Sequence, residues 1–365
     1  MDNLLERYSS HYLAIFMLIL TFFGWVFVAS STMSFDSRLL SMHSVKQLIF
    51  ICTGFLLYKL GFFLAHTEIF YKRKVLWLVA FILLLLPLSP LGKTINGASR
   101  WITPIPGLSL QLSEFVKVFW IFILATFSYD HHFNVQKRWK ETLVFCCALS
   151  VILLLILAQP DFGSAFVLAS VTMLTLFVAK VRLDLIVTLM ALLCAAIVYL
   201  VTHASYRMKR LLAFLDPQAY ATGEAYQLWQ SLIAISSGGN FGVGLGQSWQ
   251  KYQALPECHT DFIFSIMIEE TGFVGGLVFI SFYFVFIYKI FLLSVELSTQ
   301  KKYLASYVYV AAGSLFLVQL FVNLGVCLGI LPTKGLTLPF VSYGGSSLWA
   351  FMLLIGLLEG VRYRD

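Results

Sequence analysis

Residues 254–289 read ALPECHTDFIFSIMIEETGFVGGLVFISFYFVFIYK, a polar turn followed by a long apolar run. From Phe262 to Lys289 the run has more than the ~20 residues that a helix needs to cross ~30 Å of hydrocarbon. Two acids, Glu269 and Glu270, interrupt it, and Asp261 stands at its lip beside Glu257 and His259. Ionisable groups are expensive inside a bilayer, so each demands a partner or a function. As a helix cap, Thr260 or Asp261 would satisfy free backbone N–H groups and favour the positive helix end. Capping does not exclude chemistry, because a carboxylate at a membrane surface can also face a lipid-borne substrate.

The rest of the chain repeats the apolar pattern. Of its 365 residues, 59% are hydrophobic and only 12% are charged, a composition no soluble domain carries. Ten stretches are long enough to span, at about 12–33, 47–65, 74–91, 112–129, 141–160, 163–180, 184–202, 262–289, 304–331 and 344–361. The expected fold is an all-α polytopic membrane protein forming one domain over residues 1–365. It has about ten transmembrane helices and a large outer loop, about 203–261, between helices 7 and 8. The short PDFG connection at 160–163 makes the fifth and sixth spans the least secure pair. The first run exceeds a typical signal-peptide core and reads as a retained span. Six cysteines form no CxxC or Cys/His metal spacing.

Basic residues orient the stack. With the N-terminus cytoplasmic, the inner segments gather Lys72, Arg73 and Lys74, then Lys137, Arg138 and Lys140, then Lys289, Lys301 and Lys302, and finally Arg362 and Arg364. The short outer loops hold only Arg38, Lys46, Lys93, Arg100 and Lys334. Both termini are therefore expected inside and the long loop outside. The net charge of +7 follows from these loops and does not imply nucleic acid. In the long loop, Arg207, Lys209 and Arg210 alternate with Leu211, Leu212, Phe214 and Leu215, which suits an amphipathic helix lying at headgroup level. The glycine-rich SSGGNFGVGLGQS at 236–248 reads as a flexible turn or as a backbone nest for a diphosphate.

Several other polar residues stand out. Glu114 and Lys117 share a helix face at i and i+3 and can pair. Arg100 beside Trp101 fits either an interfacial anchor or a binding group. ILPTKGLTLPFVSYGGSS, 330–347, is broken by prolines and glycines around Lys334; such backbone survives at membrane depth only where protein or a wet cavity satisfies it. Glu269 and Glu270 either pair with another span or serve the site. Lys59 lies near a span end, snorkels and receives no role.

Under one topology Arg100, Glu114, Lys117, Arg207, Arg210, Asp261 and Lys334 all fall in the outer half. A transporter would place such charges near the midplane, whereas an outer site suits a lipid-linked substrate with its headgroup outside. No nucleotide is available there, so bond formation must use an already activated donor such as a sugar on a lipid diphosphate. Cations or a divalent ion would neutralise the leaving group while one carboxylate takes a proton from the attacking hydroxyl. A single base without a nucleophile implies one displacement with inversion. The rival readings are a flippase that moves the same lipid without glycosyl transfer, and a non-catalytic scaffold.

The stretches NGASRWI, SEFVK, AQPDFGSA, GEAYQLWQSLIAISSGG, GLGQS, LPECHTDFIF and LPTKGLTLPFVSYGGSS occur in order along the chain. On these motifs the sequence resembles the SEDS family (shape, elongation, division and sporulation proteins) of bacterial glycan polymerases over nearly its whole length. PTKGLTLP and VASSTM are more similar to the cell-division member than to the elongation member. The resemblance implies a peptidoglycan glycosyltransferase that polymerises lipid II into β-1,4 strands and releases undecaprenyl diphosphate. It implies Asp261 as the essential acid, with Arg100, Glu114, Lys117 and Lys334 as substrate-binding positions; Arg207, Arg210, Glu257 and His259 join them as candidates from the residues alone. A divalent cation (Mg2+ or Mn2+), with Asp261 as its possible ligand, is implied, and no organic cofactor. The expected partners are lipid II, a class B penicillin-binding protein and other divisome proteins, in the cytoplasmic membrane at the division septum. Leu112, Cys258 and EETG depart from the family's usual Pro, Ala and EELG without removing a charged motif residue.

Overall fold

The computed structural model describes residues 12–33, 41–95, 98–105, 108–131, 139–181, 205–252, 255–333 and 335–364, with isolated helical positions between 184 and 202. The architecture is helical. In chain order the elements are α1 (Tyr12–Ser31), α2 (Met42–Leu64), α3 (Arg73–Leu85), a small sheet, α4 (Leu112–His131), α5 (Trp139–Ala158) and α6 (Phe162–Val178). They continue with α7 (Ser205–Leu215), α8 (Tyr226–Ser237), α9 (Ile263–Thr299), α10 (Tyr303–Cys327) and α11 (Gly345–Arg362). Among the described residues seven helices are long and apolar enough to cross a membrane: α1, α2, α4, α5, α9, α10 and α11. The expected spans at 74–91 and 163–180 appear as the shorter α3 and α6. The expected span at 184–202 lies almost wholly outside the described residues.

Burial sorts the helices into a centre and a rim. In α4, α10 and α11, 83% of the apolar window is buried, against 17% in α2. Hydrophobicity alone cannot drive helices together in lipid, so close backbone approach does much of the work. Gly356 and Gly360, a GxxxG pair on α11, meet α2 this way: a Cβ at Gly356 would strike the Tyr58 carbonyl, and one at Gly360 the Phe62 carbonyl. Phe340, in the broken segment before α11, plugs the centre by stacking on Phe316 at 5.6 Å and meeting Phe351 at 5.7 Å.

Two features depart from a purely helical reading. Residues 92–111 form a three-stranded antiparallel sheet, β1 (Gly92–Ile95), β2 (Ala98–Ile105) and β3 (Leu108–Gln111), in the order β1-β2-β3. It pairs Lys93 with Trp101 and Trp101 with Gln111, so a connection that hydropathy leaves blank satisfies its backbone as a ladder. The second departure is in α9. Its 37 residues would run about 55 Å at 1.5 Å per residue, and the helix is broken at Gly272 (φ 73, ψ −177).

The glycine-rich loop fills that break. Val243 N donates to Glu269 O at 2.9 Å and Gly244 N to Glu270 O at 3.0 Å; Phe273 N donates to Gly239 O at 2.9 Å and Val274 N to Asn240 O at 3.1 Å. A side chain at Gly272 would collide with backbone atoms of Asn240, Phe241 and Gly242. The loop is thus not a free turn, and the N–H groups of Val243 and Gly244 are spent on α9 rather than open to an anion. Helix α8 leads into it beside the first turns of α9, with Ser231 Oγ 2.6 Å from Ser265 Oγ. Part of the outer loop therefore packs among the helices.

Candidate active site

Asp261 lies immediately before α9, and the capping role expected of it is not realised. The N-cap position falls on Phe262 with no side-chain bond, and the Thr260 hydroxyl donates to Glu257 Oε2 at 2.8 Å instead. The turn is held through its carbonyls. Asp261 O accepts from Asn323 Nδ2 of α10 at 2.9 Å and from Cys327 Sγ at 3.5 Å. Asn323 Nδ2 also donates to Leu336 O at 2.8 Å, Ser342 Oγ to Thr260 O at 2.6 Å, and Tyr343 N to His259 O at 2.9 Å. The broken segment 335–347 is accordingly a clamp around the acid. Gly335 lies against the carboxylate, where a Cβ would stand 3.0 Å from Asp261 Oδ2.

These bonds fix the Asp261 backbone and do not engage its carboxylate. Among the described residues no side chain hydrogen-bonds or ion-pairs with it. Burial, then the nearby charge of Glu257, pushes its pKa up to about 7, and Arg100 pulls the other way. A carboxyl poised near neutral pH suits proton transfer. His259 is held below its ordinary pKa by burial and by His43, so it is neutral and forms an aromatic trio with His43 (5.0 Å) and Tyr343 (5.5 Å). Glu257 contributes charge and its bond to Thr260.

Arg100 projects from β2 onto the 159–161 turn. Its Nε donates to Gln159 O at 3.2 Å, its Nη2 to Pro160 O, and its Nη1 stands 3.8 Å from Asp161 Oδ1. The guanidinium is a built-in strut rather than a lipid-surface anchor. Asp161 is the residue that sequence reasoning passed over. It is 1% exposed, caps α6 by accepting from Ser164 N at 3.1 Å, and accepts from Gln111 Nε2 at 3.1 Å and Ser113 Oγ at 3.2 Å. One carboxylate so ties β2, β3, α4 and α6 together. Its signal was the PDFG turn itself, where an Asp precedes an apolar run as a cap does.

Glu114 and Lys117 form the pair their spacing allows, with Nζ 2.7 Å from Oε1 and both side chains buried. The second oxygen, Glu114 Oε2, is buried with no hydrogen-bond partner among the described residues. Glu269 and Glu270 pair with the loop rather than with another span alone. Glu269 accepts from Ser248 Oγ at 2.5 Å and Trp249 N at 3.0 Å; Glu270 accepts from Ser30 Oγ of α1 at 2.6 Å and lies 3.6 Å from Lys251 Nζ. Lys334 and the side chains of Arg207 and Arg210 lie outside the described residues; the backbone of the latter two belongs to α7.

Among the described residues no three His, Cys, Asp or Glu side chains converge as a metal cage. Asp261 offers one carboxylate, a donor number with which Mg2+ can be held when substrate phosphates supply the remaining ligands.

Fold and site together define a polytopic helical membrane protein that presents a clamped acid near a braced guanidinium at one end of its bundle. The family model described as "Cell cycle protein", FtsW/RodA/SpoVE, matches residues 10–365, and the chain belongs to that family. It is similar to the probable peptidoglycan glycosyltransferase FtsW of Coxiella burnetii, 38% identical over 363 residues covering 96% of this chain and 95% of that one. The protein of the same description from Saccharophagus degradans is 40% identical over 337 residues, covering 90% and 86%. Among solved structures, a chain of a peptidoglycan synthase complex that coordinates polymerization and crosslinking superposes with TM-score 0.78 at 28% identity, covering 97% of this chain and 98% of that one. The rod-shape-determining protein RodA of Thermus thermophilus gives 0.71 at 27%, with the same coverage.

Proposed function

We propose that this chain is a peptidoglycan glycosyltransferase that polymerises lipid II into β-1,4 glycan strands at the outer face of the cytoplasmic membrane, with inversion and release of undecaprenyl diphosphate. The observation that carries the reading is the Asp261 carboxylate: fixed through its backbone, without a hydrogen-bond or ion-pair partner among the described residues, and with its pKa pushed up to about 7 by burial and by Glu257. Asp261 takes the proton from the attacking sugar hydroxyl. Arg100, held by the 159–161 turn, supplies positive charge for a diphosphate, and Lys334 and Lys117 are its candidate companions. A divalent ion shared between Asp261 and the diphosphate would add charge neutralisation, and the protein's own residues account for the proton step without it. The likeness to a synthase complex supports a crosslinking partner of the class B penicillin-binding type, with other divisome proteins at the septum.

The test is a gel assay of lipid II polymerisation with full-length protein and its transpeptidase partner. Asp261→Asn should lower turnover at least ~100-fold while keeping wild-type folding. Wild-type polymer yield from a folded variant would remove Asp261 from the reaction. Headgroup translocation in proteoliposomes without polymer would favour the flippase instead.

A further inference from the structure

At the opposite end of the bundle from Asp261, where the basic residues gather, lies a cavity of about 580 Å³. Its walls come from Tyr71 and Lys72 just before α3, Arg73 and Lys74 in its first turn, the end of α4 (Tyr129 and Asp130) and Leu304 of α10. A second cavity of about 340 Å³ adjoins it through Arg73 and adds Trp77, Phe127, Lys140 and Glu141, so the two together hold four cations against two acids. The catalytic proposal uses none of these residues.

Charge and orientation decide what such a place could hold. Arg73 is fixed between the cavities by a 2.9 Å bond to Asp130 and lies 5.9 Å from the Phe127 ring centre. Lys72 reaches only a loose, exposed contact with Glu68 at 3.5 Å, and Lys74 has no acidic partner among the described residues. The first cavity thus holds three cations against one acid, and the acid is already taken. Two exposed ammonium groups and a guanidinium held by Asp130, beside Tyr129, are a phosphate-binding set.

The walls below the cations identify the rest of the ligand. Along α3, Leu78, Phe81, Ile82 and Leu85 are exposed, and along α5, Val144, Val151 and Leu154 are exposed. These faces continue away from the charged end in the direction acyl chains would take. A soluble phosphate would have no use for such a track. We propose that this double cavity binds the phosphate headgroup of an anionic glycerophospholipid of the inner leaflet, with its chains lying against α3 and α5. Basic pockets between membrane helices on the cytoplasmic side are suited to such headgroups. The inference stands independently of the activity proposed above.

Native mass spectrometry of the full-length protein, titrated with phosphatidylglycerol or phosphatidylethanolamine, tests it. Wild type should retain phosphatidylglycerol preferentially. The variant Lys72→Gln/Lys74→Gln leaves the Arg73–Asp130 bond intact and should bind it about 25-fold more weakly, at ~5-fold per lysine near a membrane surface. A control with the same charge change elsewhere at this end, Lys289→Gln/Lys301→Gln, should bind as wild type does. Equal loss in the control would show bulk charge rather than a site, and unchanged binding by the first variant would overturn the proposal. Millimolar glycerol phosphate should leave the bound lipid in place; complete displacement would assign the cavity to a soluble phosphate and overturn it as well. Polymerisation by the Lys72→Gln/Lys74→Gln variant, measured in parallel in detergent, should match wild type.

Discussion

Replacing Glu114 by Gln separates the structural from the functional meaning of the buried pair in α4. Lys117 and Glu114 have side-chain exposures of 2% and 6% and meet at 2.7 Å. Glu114→Gln removes the negative partner and strands a buried ammonium, which costs about 3–5 kcal/mol when a buried pair loses one member. Lys117→Met should cost less, because the remaining carboxyl can take up a proton and its Oε2 already lacks a hydrogen-bond partner among the described residues. Glu114→Gln/Lys117→Met removes both charges and should return to within ~1 kcal/mol of wild type. Melting in detergent, followed by monodispersity of the full chain, reads the stability cycle; lipid II polymerisation reads function. If Lys117 also serves a diphosphate, the double variant will be stable and inactive. A single Glu114→Gln variant as stable as wild type would refute the desolvation argument, and a stable, fully active double variant would refute the functional role of Lys117.

The pH dependence of polymerisation should show an acidic limb near pH 7, with activity rising as the Asp261 carboxyl, pushed up to about 7, loses its proton. Glu257→Gln removes a raising influence and should move that limb to lower pH, while Arg100→Gln removes the lowering one and should move it higher; profiles that do not shift in opposite senses contradict the assignment. Asp161→Ala deletes the α6 cap and strands partners from three elements, so a loss on the order of 3 kcal/mol is expected, with Asp161→Asn restoring part of it in a melting assay. Gly272→Ala should destabilise by more than about 2 kcal/mol, since φ 73 and the Asn240–Gly242 backbone leave no room for a methyl group; the measurable sign is faster proteolysis within 238–251.

Hydropathy spacing alone placed α1, α2, α4, α5, α10 and α11 within about five residues, because a membrane span is a local property of some twenty consecutive side chains; it placed the start of α9 but ended it at 289, ten residues short of Thr299. Spacing also made Glu114 and Lys117 neighbours, a relation fixed by 3.6 residues per turn, and the motifs pointed to Asp261. Everything that turns Asp261 into a site was decided elsewhere in the chain. Asn323, Ser342 and Gly335 surround it from 62 to 81 positions away in sequence, and no local periodicity encodes that meeting. The same holds for Arg100, which reads as an interfacial anchor until the 159–161 turn is brought beneath it. The glycines of 238–246 signalled conformational freedom, but only the break at Gly272 made them the second half of a joint. Local sequence sets which segments leave water; the unpaired carbonyls, N–H groups and charges they carry inside can be satisfied only by distant partners, and that requirement determines the tertiary arrangement.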